Sequence, residues 1–588
     1  MNPATPFVTP ETRPRALSFF FTALLARRSV FMEAMLATVI ISLIGLASSL
    51  YSMQVYDRVI PNYGLDTLWV LTIGVLLAVA LELLMKHVRA LMVDRACKAI
   101  DEELSDVFFS RALAIRMDQR PRTIGTFAAQ VRMFESVRNF LTSTTLFVFA
   151  DLPFAFFFVA IIAWIAGPLA LIPLALLPVS LIVGLMFTRP VARLTVQNAA
   201  ESTLKNGLLI ESIDGAETLK SLAAEPLFRQ RWNDLTRQMS ASELETKSLT
   251  GLSSHLSQSI QQVSYVGLVF AGVYAINAGE LTMGGLIACS IISGRALTPF
   301  AQVAAVLVQW QHARAALLGL EPIVQLPADD QLNDEQVVRP QGCRGEIRLE
   351  AVRYAYDEAL EVLHVDALSV QPGERVAIIG QIGSGKSTLL KLLSGLHRPG
   401  AGRVFLDDVD MAHLEKNHLR QHIHYLPQHA RLFNGTLREN LLLGADDPGD
   451  DSILQAAQAT GLDQFIAQHP RGLGLILSEG GQGLSGGQRQ LVTLTRLLMR
   501  PARVLLLDEP TAAIDGPLEE RVMQAVLSRD PGATLIMVTH KASLLKLATR
   551  IIVMDRGRVF IDGPRDAVLQ TLMERQSKQE VTMTGGRV

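Results

Sequence analysis

The sequence has little cysteine and little charge. Its three cysteines, Cys97, Cys289 and Cys343, are too few and too scattered for a disulfide framework or a cysteine metal site. Charged residues make up 19% of the 588 residues and hydrophobic residues 49%, which indicates a membrane protein with a soluble part. The net charge of −2 gives no indication of a nucleic-acid partner. The first residues, Met1 to Pro14, lack the apolar core and cleavage site of a signal peptide.

Long uncharged runs dominate the first half of the chain, and a helix of about 20 apolar residues crosses a bilayer. Buried helices of a large soluble core are the alternative, but this many apolar runs disfavour it. We therefore predict six membrane spans. The first two are Ala34 to Tyr56 and Thr67 to Leu81. The third starts near Phe140, and its remainder, a turn at Gly167-Pro168 and the fourth span make up the uncharged run Leu152 to Thr188. The last two are Ser248 to Gly279 and Leu281 to about Val308.

Positive charges near the spans indicate orientation, because cytoplasmic loops carry an excess of Lys and Arg. Both termini and two long loops, roughly 86–140 and 189–247, are therefore expected in the cytoplasm. Apolar residues recur at helical spacing in the second loop, which predicts helices that extend well below the membrane. Ile124–Phe140 and Glu211–Thr218 lie at the turning points of these loops. Each is either a short transverse helix on the soluble domain or an ordinary connection.

Two charges lie within predicted spans, where an unpaired charge is costly. Asp151 is expected about ten residues into the third span and Arg295 about fourteen residues into the sixth, both in the cytoplasmic half of the membrane. We hypothesise that they approach each other or jointly line a polar entrance. The alternative is that each side chain reaches water separately.

The second half of the chain contains Gly380-Gln381-Ile382-Gly383-Ser384-Gly385-Lys386-Ser387, which has the pattern G-x-x-x-x-G-K-S of a phosphate-binding loop. A short apolar strand precedes it and Thr388 opens a helix after it. Backbone N–H groups from Gly380, Gly383, Ser384 and Gly385 are expected to surround phosphates, helped by the helix N-terminus. Lys386 can reach the β- and γ-phosphates of ATP, and the Ser387 hydroxyl can hold Mg²⁺.

Further candidate residues follow the predicted strands. Asp508 is suited to bind Mg²⁺ and Glu509 to polarise an attacking water. His540 could contact a γ-phosphate, Gln428 could bind Mg²⁺ or water, and Tyr356 could stack on adenine. A second anion site is predicted where a helix begins, at Ser485, Gly486, Gly487 and Gln488.

Five histidines surround Gln428, and a metal site there is conceivable. Packing or solvent-facing histidines are the favoured interpretation. These residues are His413, His418, His422, His424 and His429.

Residues 346–570 resemble the nucleotide-binding domain of ATP-binding-cassette (ABC) transporters, and Leu484–Gln488 is the most specific motif. The resemblance implies that Gln428 senses the γ-phosphate, that Glu509 and His540 are catalytic, and that Asp515 marks a loop at a dimer interface. It also implies that Leu484–Gln488 caps ATP bound to a second copy, so a homodimer is expected. Ala512 departs from the serine usual in the family.

The membrane half resembles exporters of type I secretion systems, chiefly in Arg120–Ser143, Asp151–Phe154 and Ser293–Pro299. This implies an inner-membrane protein that exports an unfolded polypeptide together with a periplasmic adaptor and an outer-membrane channel. With only about thirty residues before the first span, no peptidase domain and no cargo cleavage are expected. An exporter of lipids or small amphiphiles and a regulatory ABC protein are the alternatives, and the intact Glu509 disfavours the latter.

The predicted fold is an all-α, six-helix ABC exporter domain in the membrane, followed by an α/β P-loop nucleotide-binding domain. The predicted bounds are 1–30 for an N-terminal cytoplasmic segment, 31–322 for the membrane domain, 323–345 for a linker and 346–588 for the nucleotide-binding domain.

Overall fold

The computed structural model describes residues 16–121, 124–140, 143–329, 336–357 and 360–584. The described chain forms two compact units. The membrane unit holds the residues up to Ile115 together with Pro121–Leu326. The nucleotide unit holds Arg116–Arg120 and the chain from Pro327 onward.

The membrane unit is built from helices, as its apolar runs predict. Two of them, of 50 and 53 residues, are about 75 and 80 Å long at 1.5 Å per residue, far more than the ~30 Å of a bilayer core. The prediction that helices extend beyond the membrane is confirmed. The helices are α1 Ala16–Ala26, α2 Arg28–Gln54, α3 Ile60–Asn62, α4 Leu65–Ala114, α5 Ile124–Arg132, α6 Phe134–Phe140, α7 Ser143–Ala166, α8 Leu171–Met186, α9 Thr188–Asp214, α10 Ala216–Ser221, α11 Glu225–Asn277 and α12 Met283–Gln325.

Five helical stretches of the described chain are long and apolar enough to cross a membrane. One of them, Asp151–Asp214, contains a break: Gly167 has a φ of +53° and opens a 3-10 turn over Gly167–Ala170. Helices α7 and α8 contact each other on either side of this turn, and both pack on α12. The stretch therefore supplies two spans, and the six-helix prediction is confirmed.

The long helices keep a buried face at helical spacing along their length. On α4 this face includes Val93, Ile100, Leu104 and Phe108. On α11 the buried positions are mostly small and polar, which allows helix backbones to approach closely. The Ser264 hydroxyl, for example, lies 3.0 Å from the Ser293 hydroxyl of α12.

The two charges predicted inside the spans have separate partners. Arg89 of α4 is buried; its Nη1 donates to Thr38 Oγ1 at 2.6 Å and lies 3.5 Å from Asp151 Oδ1. Arg295 of α12 instead donates from Nη2 to Ser48 Oγ of α2 at 3.2 Å. The hypothesis that Asp151 pairs with Arg295 is therefore wrong. Depth along a helix was predicted, whereas the direction in which each side chain points was not.

A carboxylate joins the start of α12 to the end of α2. Residues Val55–Val59 form a π-helical turn, and Asp57 in this turn accepts a hydrogen bond from the Gly284 backbone N at 2.8 Å. Its other oxygen accepts from Thr282 Oγ1 at 2.7 Å. Because the first N–H groups of a helix lack partners within the helix, a carboxylate is favourable there. We call this contact the Asp57 clasp.

The predicted piece Ile124–Phe140 forms α5 and α6 of the membrane unit, and its role on the soluble domain stays a prediction. Within the membrane unit α5 lies against α9, since a Cβ on Gly125 would be 3.0 Å from the Gly207 Cα, and α6 lies against α12 through Phe140 and Trp310. Residues Arg116–Arg120, which come just before Ile124–Phe140 in the chain, belong to the nucleotide unit. Its Arg116 N donates to Pro327 O at 3.1 Å. The role of Glu211–Thr218 stays a prediction.

The nucleotide unit alternates strands and helices. Its strands are β1 Ile347–Asp357, β2 Leu360–Val370, β3 Arg375–Gly380, β4 Ala401–Leu406, β5 Val409–Asp410, β6 Ile423–Leu426, β7 Gly435–Thr436, β8 Ile476–Leu477, β9 Val504–Asp508, β10 Thr534–Val538, β11 Arg550–Asp555 and β12 Arg558–Pro564. Its helices are α13 Lys386–Leu393, α14 Lys416–His422, α15 Leu437–Leu441, α16 Asp450–Thr460, α17 Asp463–Gln468, α18 Gly486–Leu498, α19 Gly516–Arg529, α20 Ala542–Leu545 and α21 Arg565–Thr584.

The central sheet of this unit has the strand order β12-β11-β3-β10-β9-β6, with β11, β3, β10, β9 and β6 parallel. A second, antiparallel sheet has the order β2-β1-β4-β5. Apolar side chains of the two sheets and of α13 form one shared core. Every residue of β9 and β10 is buried. In such a sheet, ligands bind outside the carboxyl ends of the strands, which is where the loops after β3, β6, β9 and β10 meet.

Candidate nucleotide site

The phosphate loop joins buried β3 to α13 as its sequence predicts. Gly383 and Gly385 have φ values of +82° and +92°, which turn the backbone around an open centre. The Lys386 ammonium is buried and donates to the Gly380 O at 2.7 Å and the Gln381 O at 2.9 Å. Burial lowers the pKa of Lys386, whereas Glu509 and Asp508 act to raise it. The loop thus holds a positive charge at its centre.

One side chain of this loop has unused hydrogen-bonding capacity. The Ser384 hydroxyl is buried and has no hydrogen-bond partner within the described residues. A buried hydroxyl without a partner is costly unless a ligand atom completes it. The loop therefore fits an anion with oxygen atoms, as ATP phosphates supply.

Asp508 and Ser387 lie together. The buried Asp508 ends β9, and its pKa is raised by burial and by the charge of Glu509, against a hydrogen bond from Ser387 and the charges of Lys391 and Lys386. A hydroxyl and a carboxylate are hard oxygen ligands of the kind that Mg²⁺ prefers. These two residues fit the predicted ion.

Glu509 is the next residue and has two of the predicted residues beside it. Gln428 Nε2 donates to Glu509 Oε2 at 3.1 Å, and His540 Nε2 lies 3.8 Å from Glu509 Oε1. Glu509 itself has a φ of +48°, a left-handed backbone that is strained for a residue with a side chain. Its backbone N donates to Val538 O at 2.9 Å. The loops after β6, β9 and β10 thus bring these three side chains together.

Tyr356, the predicted adenine-stacking residue, is half-exposed on β1. Its hydroxyl lies 3.2 Å from Thr388 Oγ1 on α13, which ties it to the phosphate loop. Two further rings pack edge to face against the Tyr356 ring: the centroid of Tyr354 lies 5.1 Å and that of His397 5.8 Å from its centroid. The exposed face of Tyr356 is supported by an aromatic cluster that the sequence did not reveal.

Residues 485–488 form a capped helix start apart from the phosphate loop. Gln488 N donates to Ser485 Oγ at 3.2 Å, and Ser485 N donates to Gln488 Oε1 at 2.8 Å, which is a capping box at the start of α18. These polar contacts are with each other rather than with Lys386 or Ser387. Asp515 is exposed at the start of α19. Gly486 is exposed and Gly487 half-buried, and as the first two residues of α18 they have no partner for their N–H groups within the helix.

Two family models match the chain: "ABC transporter" over residues 363–512 and "ABC transporter transmembrane region" over residues 31–299. The cyclolysin secretion/processing ATP-binding protein CyaB of Bordetella pertussis is 30% identical, over 94% of this chain and 77% of that protein. The chain belongs to the ABC transporter family. This ABC transporter is an ATP-hydrolysing membrane protein with both parts of the family's architecture.

Other relatives of this ABC transporter have similar coverage. The leukotoxin translocation ATP-binding protein LktB of Mannheimia glucosida is 28% identical over 94% of this chain and 78% of that protein. The toxin RTX-I translocation ATP-binding protein of Actinobacillus pleuropneumoniae is 29% identical with the same shares. A solved bacterial Atm1-family ABC exporter with ATP bound shares the fold, with a TM-score of 0.81 and 23% identity over 94% of this chain and 98% of that one.

Sequence reasoning missed some residues that contact the site. Gln490 of α18 donates from Nε2 to Glu509 O at 3.1 Å, and no sequence pattern singled it out. Glu519 of α19 could have been found, because it shares a buried helical stripe with Val522, Met523 and Val526. A carboxylate in an apolar stripe indicates a buried charge with a partner.

Of the five histidines near Gln428, His413 and His429 are exposed, and the other three are packed against the protein. The rings of His418 and His422 lie 4.3 Å apart, and His422 Nδ1 is 2.8 Å from His418 O. His424 is buried on β6, and burial lowers its pKa to about 4. Within the described residues, no group of three or more His, Cys, Asp or Glu side chains could hold a metal ion.

Proposed function

We propose that this chain is the ABC component of a type I secretion system and uses ATP to export an unfolded polypeptide of the RTX class across the inner membrane. The observation that carries the proposal is similarity over 94% of the chain, through both units, to relatives named for the secretion or translocation of toxins. A match to the cassette alone would support only ATP hydrolysis. The matched membrane region extends the similarity to the part that handles cargo.

In this proposal, the phosphate loop binds ATP and Tyr356 stacks on its adenine. Loop N–H groups and the Ser384 hydroxyl donate to phosphate oxygens, and Lys386 turns from the Gly380 and Gln381 carbonyls to the β- and γ-phosphates. Ser387, Asp508 and the amide oxygen of Gln428 would hold Mg²⁺, which would neutralise charge on the phosphates. Positioning and electrostatic stabilisation are the main contributions that proteins make to phosphoryl transfer.

Glu509 then orients a water molecule and accepts its proton as the water oxygen attacks the γ-phosphorus and the bond to the ADP oxygen breaks. Gln428 holds one Glu509 oxygen at 3.1 Å, which fixes the carboxylate for this role. His540, on the other side of Glu509, donates to a γ-phosphate oxygen. Lys386 and His540 thus stabilise the negative charge that develops on the γ-phosphate.

The proposal further assigns this chain to a homodimer in the bacterial inner membrane, with the nucleotide unit in the cytoplasm. Ser485, Gly486, Gly487 and Gln488 have no role within their own phosphate loop, which supports their contact with ATP on a second copy. A periplasmic adaptor and an outer-membrane channel would receive the polypeptide. The domain bounds 31–322 and 346–588 are part of this proposal.

The test combines hydrolysis and export. ATPase activity is measured on the full chain in lipid nanodiscs, and secretion is measured in cells that also carry an adaptor, a channel and a repeat-rich cargo. Glu509→Gln and Lys386→Ala should each lower hydrolysis by at least about 100-fold, since each removes a group that meets transition-state charge or water. Export should fall with hydrolysis. Glu509→Gln should still bind ATP.

The matched control is Lys546→Ala, which removes an exposed lysine from the same unit. It should leave hydrolysis and export unchanged. Wild-type turnover in Glu509→Gln would remove Glu509 from its assigned role. Hydrolysis without secretion of any polypeptide by the wild-type chain would contradict the export proposal while leaving the ATPase intact.

A further inference from the structure

A buried carboxylate lies behind the catalytic loop. Glu519 is only 1% exposed, yet it is charged and sits on the apolar face of α19. A buried carboxylate is costly unless it is paired. Lys541 Nζ lies 2.5 Å from Glu519 Oε2, and Thr511 Oγ1 donates to the same oxygen at 2.9 Å. Ser543 donates to the other oxygen, so both oxygens are occupied.

Lys541 uses its remaining N–H groups on one loop. Its Nζ donates to the backbone O of Thr511 at 2.6 Å and to the backbone O of Ile514 at 3.1 Å. With Glu519 this satisfies the three donors of the ammonium group. We call residues 509–515 the carboxylate loop, because it begins at Glu509 and ends at Asp515.

Gln490 holds the same loop from the opposite side. Its Oε1 accepts from Ala513 N at 2.8 Å, while its Nε2 donates to Glu509 O at 3.1 Å. The carboxylate loop is thus fixed by α18 on one side and by Lys541 and Glu519 on the other. Such fixation is needed because Glu509 has a strained φ of +48°, and strained residues persist only where the surroundings hold them.

We propose that Glu519 and Lys541 are positioning residues for ATP hydrolysis: their ion pair pins the carboxylate loop and so keeps Glu509 between Gln428 and His540. The inference rests on the proposed function, since it concerns the same ATPase site. Lys541 also follows His540 directly, so one short segment carries both the γ-phosphate contact and the loop anchor.

The charge state of the pair agrees with this role. Burial acts to raise the pKa of Glu519, but hydrogen bonds from Lys541, Ser543 and Thr511 outweigh it, and the pKa is lowered overall. Glu519 is therefore ionised at neutral pH and can hold the ammonium. Neutralising Lys541 would leave the buried Glu519 without its counter-charge, and neutralising Glu519 would leave the half-buried Lys541 without its own.

The test compares Lys541→Met, Glu519→Gln, the double variant Lys541→Met/Glu519→Gln and Lys541→Arg in the full chain in nanodiscs. Steady-state ATPase gives kcat and KM, and nucleotide binding and the folded fraction are measured on the same samples. We expect Lys541→Met to lower kcat by at least about 10-fold, since small displacements of catalytic groups are costly. KM should change by less than about threefold, because the ATP contacts of the phosphate loop stay in place.

Two further results distinguish positioning from stability alone. Lys541→Arg keeps a cation with several donors and should recover most of the lost kcat. The double variant should lose no more kcat than Lys541→Met, because both changes remove one interaction. Lys546→Met is the control for removing a lysine from this unit.

The inference is overturned if Lys541→Met and Glu519→Gln leave kcat per folded molecule unchanged. It is also overturned if the fold-loss of kcat in the double variant equals the product of the two single fold-losses. If Lys541→Met does not fold, Glu519→Gln and Lys541→Arg decide the question by the same kcat and KM values. Failure of the proposed function would look different: the wild-type chain itself would hydrolyse no ATP or export no polypeptide.

Discussion

Each unit of the molecule has a carboxylate that joins separate elements: Glu519 in the nucleotide unit and Asp57 in the membrane unit. Glu519 accepts from Thr511, which follows β9, and from Lys541 and Ser543, which follow β10. Asp57 accepts from Thr282 and Gly284, which lie at the start of one helix. Glu519 is thus the centre of a polar network, whereas Asp57 joins the ends of two helices.

This difference explains which features the sequence could predict. In the nucleotide unit, parallel strands deliver their following loops to the same edge, so motifs after β3, β6, β9 and β10 converge by topology. Gln428, Glu509 and His540 meet for this reason. The phosphate loop, its lysine and the helix after it were also predicted correctly. Gln490 was not, because its contact depends on the direction of one side chain.

In the membrane unit, hydropathy predicted the spans and the turn at Gly167 but not which helix faces which. Each residue turns a helix by about 100°, so a partner cannot be inferred from depth alone. Asp151 was therefore assigned to Arg295 when Arg89 is its partner. Arg89 lies beyond the predicted end of the second span at Leu81, so the sequence did not mark it as a charge within the membrane.

The largest loss of stability is expected from replacing Arg89, which joins helices of the membrane unit. Arg89→Met removes the contacts to Thr38 and Asp151 and should lower the free energy of unfolding by about 2–3 kcal/mol, the cost of losing hydrogen bonds to a charged group. Thermal unfolding of the full chain in detergent measures it. A double-mutant cycle with Asp151→Asn should give a coupling of about 1 kcal/mol.

The control cycle pairs Asp151→Asn with Arg295→Met. Because Asp151 and Arg295 have different partners, their effects should add within about 0.5 kcal/mol. A coupling in this second cycle as large as in the first would restore the pairing that the structure contradicts.

A smaller effect is expected from adding one methyl group at the Asp57 clasp. The Cβ of Gly284→Ala would meet the Met53 backbone O and lie 2.7 Å from the Asp57 carboxyl carbon, so the clasp must open. We expect a loss of about 2 kcal/mol, as for other overpacking changes. Thermal unfolding is again the measurement. Gly294→Ala on the same helix meets no atom within 4 Å and should not destabilise the chain; equal effects would exclude steric opening of the clasp.

The smallest effect concerns His397 beside the Tyr356 ring. Burial, with a contribution from Lys391, lowers its pKa to about 4. Since an unfolded histidine titrates near 6.5, the unfolded state binds more protons below that pH and stability falls as the pH falls. His397→Phe keeps the ring and should remove about 0.8 kcal/mol of this loss at pH 6.

Thermal unfolding of the wild type and of His397→Phe, each at pH 7.5 and at pH 6, measures the difference in stability. Both should have nearly the same pH 7.5 stability if the ring packing is kept. A variant as acid-sensitive as the wild type would show that His397 is not kept neutral by its surroundings.

The Asp57 clasp has a consequence for how the chain is made. Asp57 and its partners are 225 and 227 residues apart. At about 5–20 residues per second, Asp57 leaves the ribosome roughly 10–45 s before Thr282. The first pair of helices is therefore made while this carboxylate lacks its amide and hydroxyl donors, which arrive only with the last helix. Closure of the clasp is thus a late step of membrane assembly, which no shortened chain that stops before α12 can reach.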